Sequence, residues 1–211
     1  MIISEKEQTY LKNKISDFFE SGFLEAYEED KIYRWFYDTD FVDDVNINID
    51  GCTKYVFEFD FVPNVVVKCN RKSCIKDYCS IEAENYKKAI NEELEKYFAS
   101  TFFLTEQCGV SFYIQEWVEP DGDSIEDEMY NYASKLCSKQ REEMDEDEFA
   151  DCIWEFLDNF DAEESLNAVF GEDYETDRLV VFCEQNRIND LHRGNFGYRR
   201  DFPVIIDFSG I

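Results

Sequence analysis

The chain has 211 residues, of which 44% are hydrophobic and 17% aromatic, and its formal net charge is −28. This length fits one domain or two small lobes, and the apolar content is high enough to fill a core, which excludes a disordered acidic chain. The negative charge argues against binding of nucleic acid through a basic groove. It permits the opposite role, an acidic surface that competes with nucleic acid for a basic partner.

The N-terminus and the cysteines predict a cytoplasmic protein. The first residues turn polar after three positions, so no secretory signal is expected, and no apolar run is as long as a membrane span. The eight cysteines show no repeated short-range pairing, so we expect free thiols in a reducing compartment. A zinc site at Cys69, Cys74 and Cys79 is the weaker alternative, because a fourth ligand is not evident nearby.

The first half of the chain is predicted to contain one helix, a sheet and a second helix. Ser4 and Glu7 form a capping-box pattern, and apolar residues near helical spacing predict an amphipathic helix over residues 5–28. Strands are predicted over residues 45–50, 55–61, 65–68, 102–104 and 111–118, with a helix over 81–98 between the third strand and the fourth.

The second half is predicted to be helical and very acidic, and to end in a loop and a short strand. Residues 119–177 contain 22 acidic and 3 basic residues, which leaves a net charge of −19. A solvated helical face is the first interpretation, and a surface that imitates a phosphate backbone or binds a basic protein is the alternative. The order of elements predicts an α+β fold with the sheet grouped in the first half.

Polar residues at the end of the chain have the spacing of a metal and phosphate site. Asp190 and Asn195 are five residues apart in a loop with Gly194 and Gly197, and Asp207 directly follows three aliphatic residues. Mg²⁺ needs oxygen ligands, few of them from protein and the rest from phosphates and water. One Asp and one Asn meet that need, and the remaining Asp can orient or deprotonate a hydroxyl group.

Charged neighbours of this loop suggest an anion site. His192, the single histidine, is expected to be structural and to bond the loop backbone. Local positive charge in an acidic protein suits an anion such as ATP. The basic residues around the loop are Arg187, Arg193, Arg199 and Arg200.

The segments Asp190-Leu-His-Arg-Gly-Asn195 and Val204-Ile-Ile-Asp207 resemble the catalytic loop and metal-binding strand of protein-kinase-like phosphotransferases. They are closer to the aminoglycoside-phosphotransferase type than to a eukaryotic protein kinase, and they look like the short kinase-like proteins of phages and prophages. The resemblance implies ATP and Mg²⁺ as cofactors, Asp190 as the catalytic base, and Asn195 and Asp207 as metal ligands. The ending Asp207-Phe-Ser-Gly departs by one residue from the family's Asp-Phe-Gly.

Upstream segments fit the same resemblance in the same order. Val65-Val-Val-Lys68 resembles the strand whose Lys binds the nucleotide phosphates, and Glu82, with Glu84 as the alternative, resembles the carboxylate that orients this Lys. Gly51 begins a turn that resembles a phosphate-covering loop. Glu116 and Val118 stand where the family has its adenine-contacting hinge.

The implied fold is a minimal two-lobed, protein-kinase-like fold with a truncated C-terminal lobe. We expect a helical extension over residues 1–44, a first lobe over 45–118 with an antiparallel sheet and one helix, and a reduced, acidic helical second lobe over 119–211. The sequence continues for four residues after Asp207, so the segments with which protein kinases bind peptides are expected to be absent.

Two functional hypotheses follow from these patterns. The first is ATP- and magnesium-dependent transfer of phosphate to a small or a protein acceptor, with catalysis by positioning and charge stabilisation. The second is a non-catalytic, pseudokinase-like interaction protein of the phage type, whose acidic helices over residues 119–177 inhibit a basic host protein. Neither hypothesis includes direct binding of nucleic acid or of a membrane.

Overall fold

The structure is a computed structural model that describes residues 3–49, 51–119, 122–138 and 145–210. The chain forms two compact units, one made of Met1–Lys88 and Ala99–Trp117, the other of Ala89–Phe98 and Val118–Ile211. The helices are α1 (Glu5–Glu20), α2 (Phe23–Glu28), α3 (Ile32–Tyr37), α4 (Tyr78–Asn91), α5 (Gly122–Cys137), α6 (Glu146–Asp158), α7 (Ala162–Phe170) and α8 (Tyr174–Asn186). The strands are β1 (Val45–Asn48), β2 (Lys54–Phe59), β3 (Val65–Asn70), β4 (Thr101–Gln107), β5 (Val110–Glu116), β6 (Phe196–Arg199) and β7 (Phe202–Ile205).

The first unit is built on a five-stranded antiparallel sheet with the strand order β1-β2-β3-β5-β4. Successive side chains of a strand point to opposite faces of the sheet. Tyr55, Phe57 and Phe59 of β2 therefore share one face, on which they are buried in a continuous apolar core. Lys54 and Val56 lie on the opposite face.

The helices α1, α2 and α3 cover the apolar face of this sheet. Phe18 of α1 is fully buried, and the centroid of its ring lies 5.3 Å from Trp35 of α3 and 5.3 Å from Phe57 of β2. The predicted capping box is confirmed, since the Ser4 side chain accepts the Glu7 N–H and the Glu7 side chain accepts the Ser4 N–H. The N-terminal helices thus pack as part of the first unit.

Two predicted helix boundaries differ from the structure. The single helix expected over 5–28 is interrupted after Glu20, because Gly22 adopts a left-handed conformation with φ of +95° before α2 begins. The helix expected over 81–98 ends at Asn91, and the Leu94 N–H then donates to the Ala89 carbonyl. A 3₁₀ turn over Glu95–Tyr97 follows.

The second unit contains the segment Ala89–Phe98, the helices α5 to α8 and the hairpin of β6 and β7. Acidic residues cap three of its helices: Asp145 and Asp161 each form a capping box at the start of α6 and α7, and Asp173 accepts the Thr176 N–H at the start of α8. Phe98 packs between Phe182 and Phe208, with ring centroids 5.5 Å and 5.0 Å apart. Residues 120–121 and 139–144 of the predicted acidic segment lie outside the described residues.

The predicted α+β class is confirmed, with the large antiparallel sheet grouped in the first half of the chain. An antiparallel sheet with α4 between its third and fourth strands forms the first unit, and the second unit is mainly helical. Within the described parts of the chain, no helix combines the length and the apolar character that crossing a membrane requires.

The packing of Phe18 yields a first prediction. Phe18→Ala removes a fully buried ring between α1, α3 and β2, so we expect the free energy of unfolding to fall by about 3–5 kcal/mol. Urea denaturation followed by tryptophan fluorescence measures this change, since Trp35 lies in the same cluster. Ile75→Ala is the control, because the Ile75 side chain is fully exposed and its loss should change stability by less than about 0.5 kcal/mol. Equal losses in the two variants would contradict the assigned core.

Candidate nucleotide and phosphate site

The structure places Lys68 and Glu82 next to each other inside the first unit. Lys68 lies on β3, on the face of the sheet opposite the aromatic core, and Glu82 lies in the first half of α4. Lys68 Nζ is 3.6 Å from Glu82 Oε2, and the two side chains are 9% and 0% exposed. Glu84, the alternative carboxylate, is exposed. Of the two candidates, Glu82 is therefore the one beside Lys68.

A second lysine, Lys54, binds the same carboxylate. The sequence patterns do not indicate this role. Lys54 Nζ donates a hydrogen bond of 2.5 Å to Glu82 Oε1, and Lys54 is 4% exposed. In the sheet Lys54 is opposite Asn70 and Lys68 is opposite Val56, so the two lysines are diagonal neighbours on one face. The predicted strand began one residue later, at Tyr55, and pairing register is not visible in a single sequence.

Burial also controls the ionisation of a cysteine beside this cluster. Cys79, in the first turn of α4, is fully buried. Burial raises the pKa of the Cys79 thiol well above its usual range, and the negative charge of Glu82 raises it further, although Lys54 opposes the shift. The thiol therefore stays protonated and does not compete with Glu82 as a second anion near the lysines.

Gly51 and Glu116, two of the residues predicted to contact a nucleotide, have neighbours from the protein itself in this structure. Gly51 lies in the exposed turn before β2, where an added Cβ would make an ordinary contact of 3.7 Å with the Lys54 carbonyl oxygen, so the backbone does not require glycine there. The Glu116 carboxylate accepts hydrogen bonds from the N–H and the Oγ–H of Ser100, both at 3.2 Å. The next residue, Trp117, donates its N–H to the Asn64 carbonyl.

Val118 is buried and belongs to the second unit. A Cβ added to Gly197 would lie 2.8 Å from Val118 Cγ2 and 3.0 Å from the Glu119 carbonyl oxygen. Glycine at 197 thus allows the hairpin strand β6 to approach the segment that contains Val118. The pair of backbone hydrogen bonds between Glu119 and Tyr198 fixes this approach.

The loop from Asp190 to Asn195 is held by its own polar groups. Asn195 is 7% exposed, and its Nδ2 donates to the Asp190 carbonyl at 2.5 Å. The structural role predicted for His192 is confirmed, since its Nδ1 accepts the Gly194 N–H at 3.1 Å and its carbonyl accepts the Asn195 N–H. The Asp190 side chain is exposed. The loop therefore has a defined backbone and presents the Asp190 carboxylate outward.

The hairpin of β6 and β7 carries Asn195 and Asp207 to the same end. Phe196 pairs with Ile205, and the Ile206 N–H donates to the Asn195 carbonyl at 2.8 Å, so Asp207 is one residue beyond the partner of Asn195. Asp207 Oδ1 accepts a hydrogen bond from Ser209 Oγ at 3.1 Å.

The residues after Asp207 are anchored by packing and by one glycine. Phe208 is fully buried against Phe98. Gly210 has a φ of +68°, and a Cβ there would lie 2.2 Å from the Arg187 carbonyl oxygen, so only glycine fits. The Asp207-Phe-Ser-Gly ending thus has its own fixed conformation, although it departs from the Asp-Phe-Gly pattern of the family it resembles.

The donor chemistry of Asn195 and Asp207 fits a magnesium ion with phosphate ligands. Because Asn195 Nδ2 donates to the Asp190 carbonyl, the amide oxygen is the atom that would bind a metal. Across the described ranges, no group of three or more His, Cys, Asp or Glu side chains is arranged for a metal ion. A site of one Asn and one Asp matches instead the way Mg²⁺ takes few protein ligands and completes its shell with phosphate and water.

A cavity of about 420 Å³ opens beside Asp190 within the second unit. Its lining combines acidic, aromatic and hydroxyl groups. It includes Glu126, Trp154, Asp158, Phe160, Ser165 and Asp190. This volume lies in the range of pockets that bind small organic ligands.

Two of the four arginines around the loop, Arg193 and Arg199, contact protein acceptors within the second unit. Arg193 is ion-paired with Glu126, which connects the loop to α5. Arg199 donates to the carbonyls of Lys96 and Phe98, at 3.0 Å and 2.8 Å. Positive charge in the sequence does not show which internal acceptor an arginine contacts, and the anion site expected around the loop stays a prediction.

Comparison with known proteins identifies no family. No protein-family model matches the chain, and no curated protein matches it. Among solved structures, the chain is similar to the GDP and kanamycin complex of APH(2")-IIia, an aminoglycoside phosphotransferase, with 17% identity and a TM-score of 0.35. The similarity covers 84% of this chain and 72% of that one. At this TM-score and identity the similarity carries no inference about fold family, ligand or activity.

The buried carboxylate gives a second prediction. Glu82→Ala leaves two buried ammonium groups without the carboxylate that they share, so we expect the free energy of unfolding to fall by about 3–5 kcal/mol. Chemical denaturation measures the loss. Glu84→Ala, on the exposed face of the same helix, is the matched control and should cost less than about 1 kcal/mol. A small effect at Glu82 would mean that the cluster is not buried in solution.

Proposed function

We propose that this chain binds ATP with Mg²⁺ and transfers a phosphoryl group to an acceptor hydroxyl. The observation that carries the proposal is the buried contact between Lys68 of β3 and Glu82 of α4. Burying a charged side chain costs free energy of folding. Buried ionisable groups are therefore found more often at sites that bind charged ligands or catalyse reactions. A lysine oriented by a buried carboxylate is a suitable group for binding phosphate oxygens.

The residues of the second unit have complementary roles in this proposal. Asn195 and Asp207 would hold Mg²⁺, which would neutralise charge on the phosphate oxygens. Asp190, whose carboxylate is exposed beside the cavity, would orient the acceptor hydroxyl and accept its proton. Gly51, Glu116 and Val118 remain proposed nucleotide contacts.

The cavity beside Asp190 supports a small acceptor. Its lining lies within the second unit, and its volume of about 420 Å³ admits a small organic molecule but no folded protein. A short peptide segment that carries a hydroxyl group would also fit. The likeness to short phage and prophage kinase-like proteins and the cytoplasmic location remain parts of the proposal.

The nucleotide and transfer roles are tested separately by two variants, which is a third prediction. In calorimetric titrations with ATP, Asp207→Ala should weaken the magnesium-dependent part of binding, because a metal ligand is lost. Asp190→Ala should keep ATP binding and reduce autophosphorylation or slow ATP hydrolysis by about 10²–10⁴-fold, as expected for loss of a general base.

Asp201→Ala is the control for both measurements. Asp201 is exposed in the turn between β6 and β7 and has no role in the proposed site, so its removal should change neither binding nor turnover. If the wild-type chain produces no heat with ATP and Mg²⁺, the proposed function is wrong.

A second candidate function is an acidic interaction surface without catalysis. The observation that favours it is the exposure of acidic side chains along α6 and α7 next to exposed aromatic residues. Trp154 and Phe156 are 47% and 36% exposed, and aromatic residues within a charged surface are common in protein interfaces. Such a surface would bind a basic protein and compete with nucleic acid for it.

Charge reversal on α6 tests this second function, as a fourth prediction. A variant with Glu146, Asp147 and Glu148 changed to Lys should lose binding to protamine, a basic polypeptide used as the probe. The affinity of the wild-type chain should fall steeply between 50 and 300 mM NaCl, because exposed charges are screened.

The matched control reverses three exposed acidic residues elsewhere, Glu20, Asp60 and Glu92. It makes the same change in net charge. If both triple variants lose protamine binding equally, the effect comes from net charge and α6 is not a specific surface.

A further inference from the structure

We infer that Lys54 is a positioning residue of the phosphate site, which acts by fixing the Glu82 carboxylate and through it the position of Lys68. The inference rests on the proposed function, because it concerns the binding of the ATP phosphates. It adds a lysine from β2 to the Lys68 and Glu82 pair, and it assigns the two lysines different tasks.

The two contacts of Glu82 differ in strength. Lys54 Nζ donates to Oε1 at 2.5 Å, whereas Lys68 Nζ is 3.6 Å from Oε2, beyond the range of a direct hydrogen bond. A charge-assisted hydrogen bond fixes both the distance and the direction of its partners. Lys54 therefore sets the orientation of the carboxylate, and Lys68 contacts it through the weaker, longer interaction.

The sheet fixes the relative positions of the two lysines. Lys54 and Lys68 stand on paired strands, on the same face and in diagonal register, so the hydrogen-bonded ladder fixes the separation of their backbones. Glu82 reaches them from α4, and Tyr86 of the same helix donates a hydrogen bond to Ser100, the residue before β4. A site built on strands and a helix is more precise than one on loops.

Removing Lys54 should change how Lys68 behaves. The carboxylate of Glu82 would then draw the Lys68 ammonium into a shorter ion pair. Lys68 would be less able to extend toward phosphate oxygens. The result would be weaker binding of the triphosphate, while binding of the uncharged nucleoside would stay the same.

The experiment compares the affinity for ATP and Mg²⁺ with the affinity for adenosine, both by calorimetry on the full chain. Lys54→Met should weaken ATP binding by about 10- to 100-fold, the effect expected for a hydrogen bond to a charged group, with adenosine binding unchanged. Lys54→Arg, which keeps the charge and the hydrogen-bond donors, should restore ATP binding to within about threefold of wild type. A role in folding alone would lower the denaturation midpoint without changing the ratio of the two affinities.

A double-mutant cycle tests whether Lys54 acts through Glu82. Because Lys54→Met/Glu82→Gln removes the two charges together, it leaves no buried carboxylate without this lysine and remains measurable if the single variant does not fold. We expect the double variant to bind ATP as Glu82→Gln does. A further tenfold loss would mean that Lys54 contacts phosphate directly, and the positioning role would be wrong.

The outcomes separate this inference from the proposed function. If the wild-type chain does not bind ATP, the proposed function fails. If the wild-type chain binds ATP, Lys68→Met weakens that binding and Lys54→Met leaves it unchanged, the proposed function stands and the role of Lys54 is wrong.

Discussion

The burial of one carboxylate constrains the first unit more than any other interaction. An ionised side chain inside a protein costs several kcal/mol unless it is paired and hydrogen-bonded, and Glu82 is fully buried. The two lysines that compensate it occupy alternate positions of β2 and β3, whose other positions, such as Tyr55 and Phe57, fill the aromatic core. A slip of β2 by one residue would exchange these faces, placing Lys54 in the core. Sheet register and the charged cluster therefore depend on each other.

The sequence predicted those parts of this arrangement that are visible as local patterns. The strand containing Lys68 is a run of β-branched residues, and the helix containing Glu82 has apolar residues at helical spacing, so the sequence predicts both. Lys54 was not found, because its role depends on pairing with a strand 14 residues away and on a helix still further along the chain. At Gly22 the local pattern is present but predicts the wrong structure. The apolar period continued across it, although its φ of +95° ends the helix.

The terminal motif was also predicted in part. The spacing of Asp190, Asn195 and Asp207 predicted a loop followed by a strand, and the structure shows how the hairpin register brings Asn195 and Asp207 to one end. The sequence shows the positive charge of the arginines around the loop but not their partners. Arg193, which could have met an anion, is ion-paired with Glu126. The sequence thus shows the chemical type of each side chain, but it does not show which residues that side chain contacts in the fold.

The acidity of the chain has two separable origins in the second unit. Part of it is local, since Asp145, Asp161 and Asp173 cap helices, and negative charge at a helix N-terminus is favourable. Other acidic side chains, such as Asp151, Glu155 and Asp158 on α6, are exposed and would repel an anion. ATP binding would then depend on the buried lysines of the first unit, where Glu82 keeps Lys54 and Lys68 close together. In the proposed function, the net charge of this chain would be a poor guide to the charge of its ligand, because a few buried groups would determine the local potential.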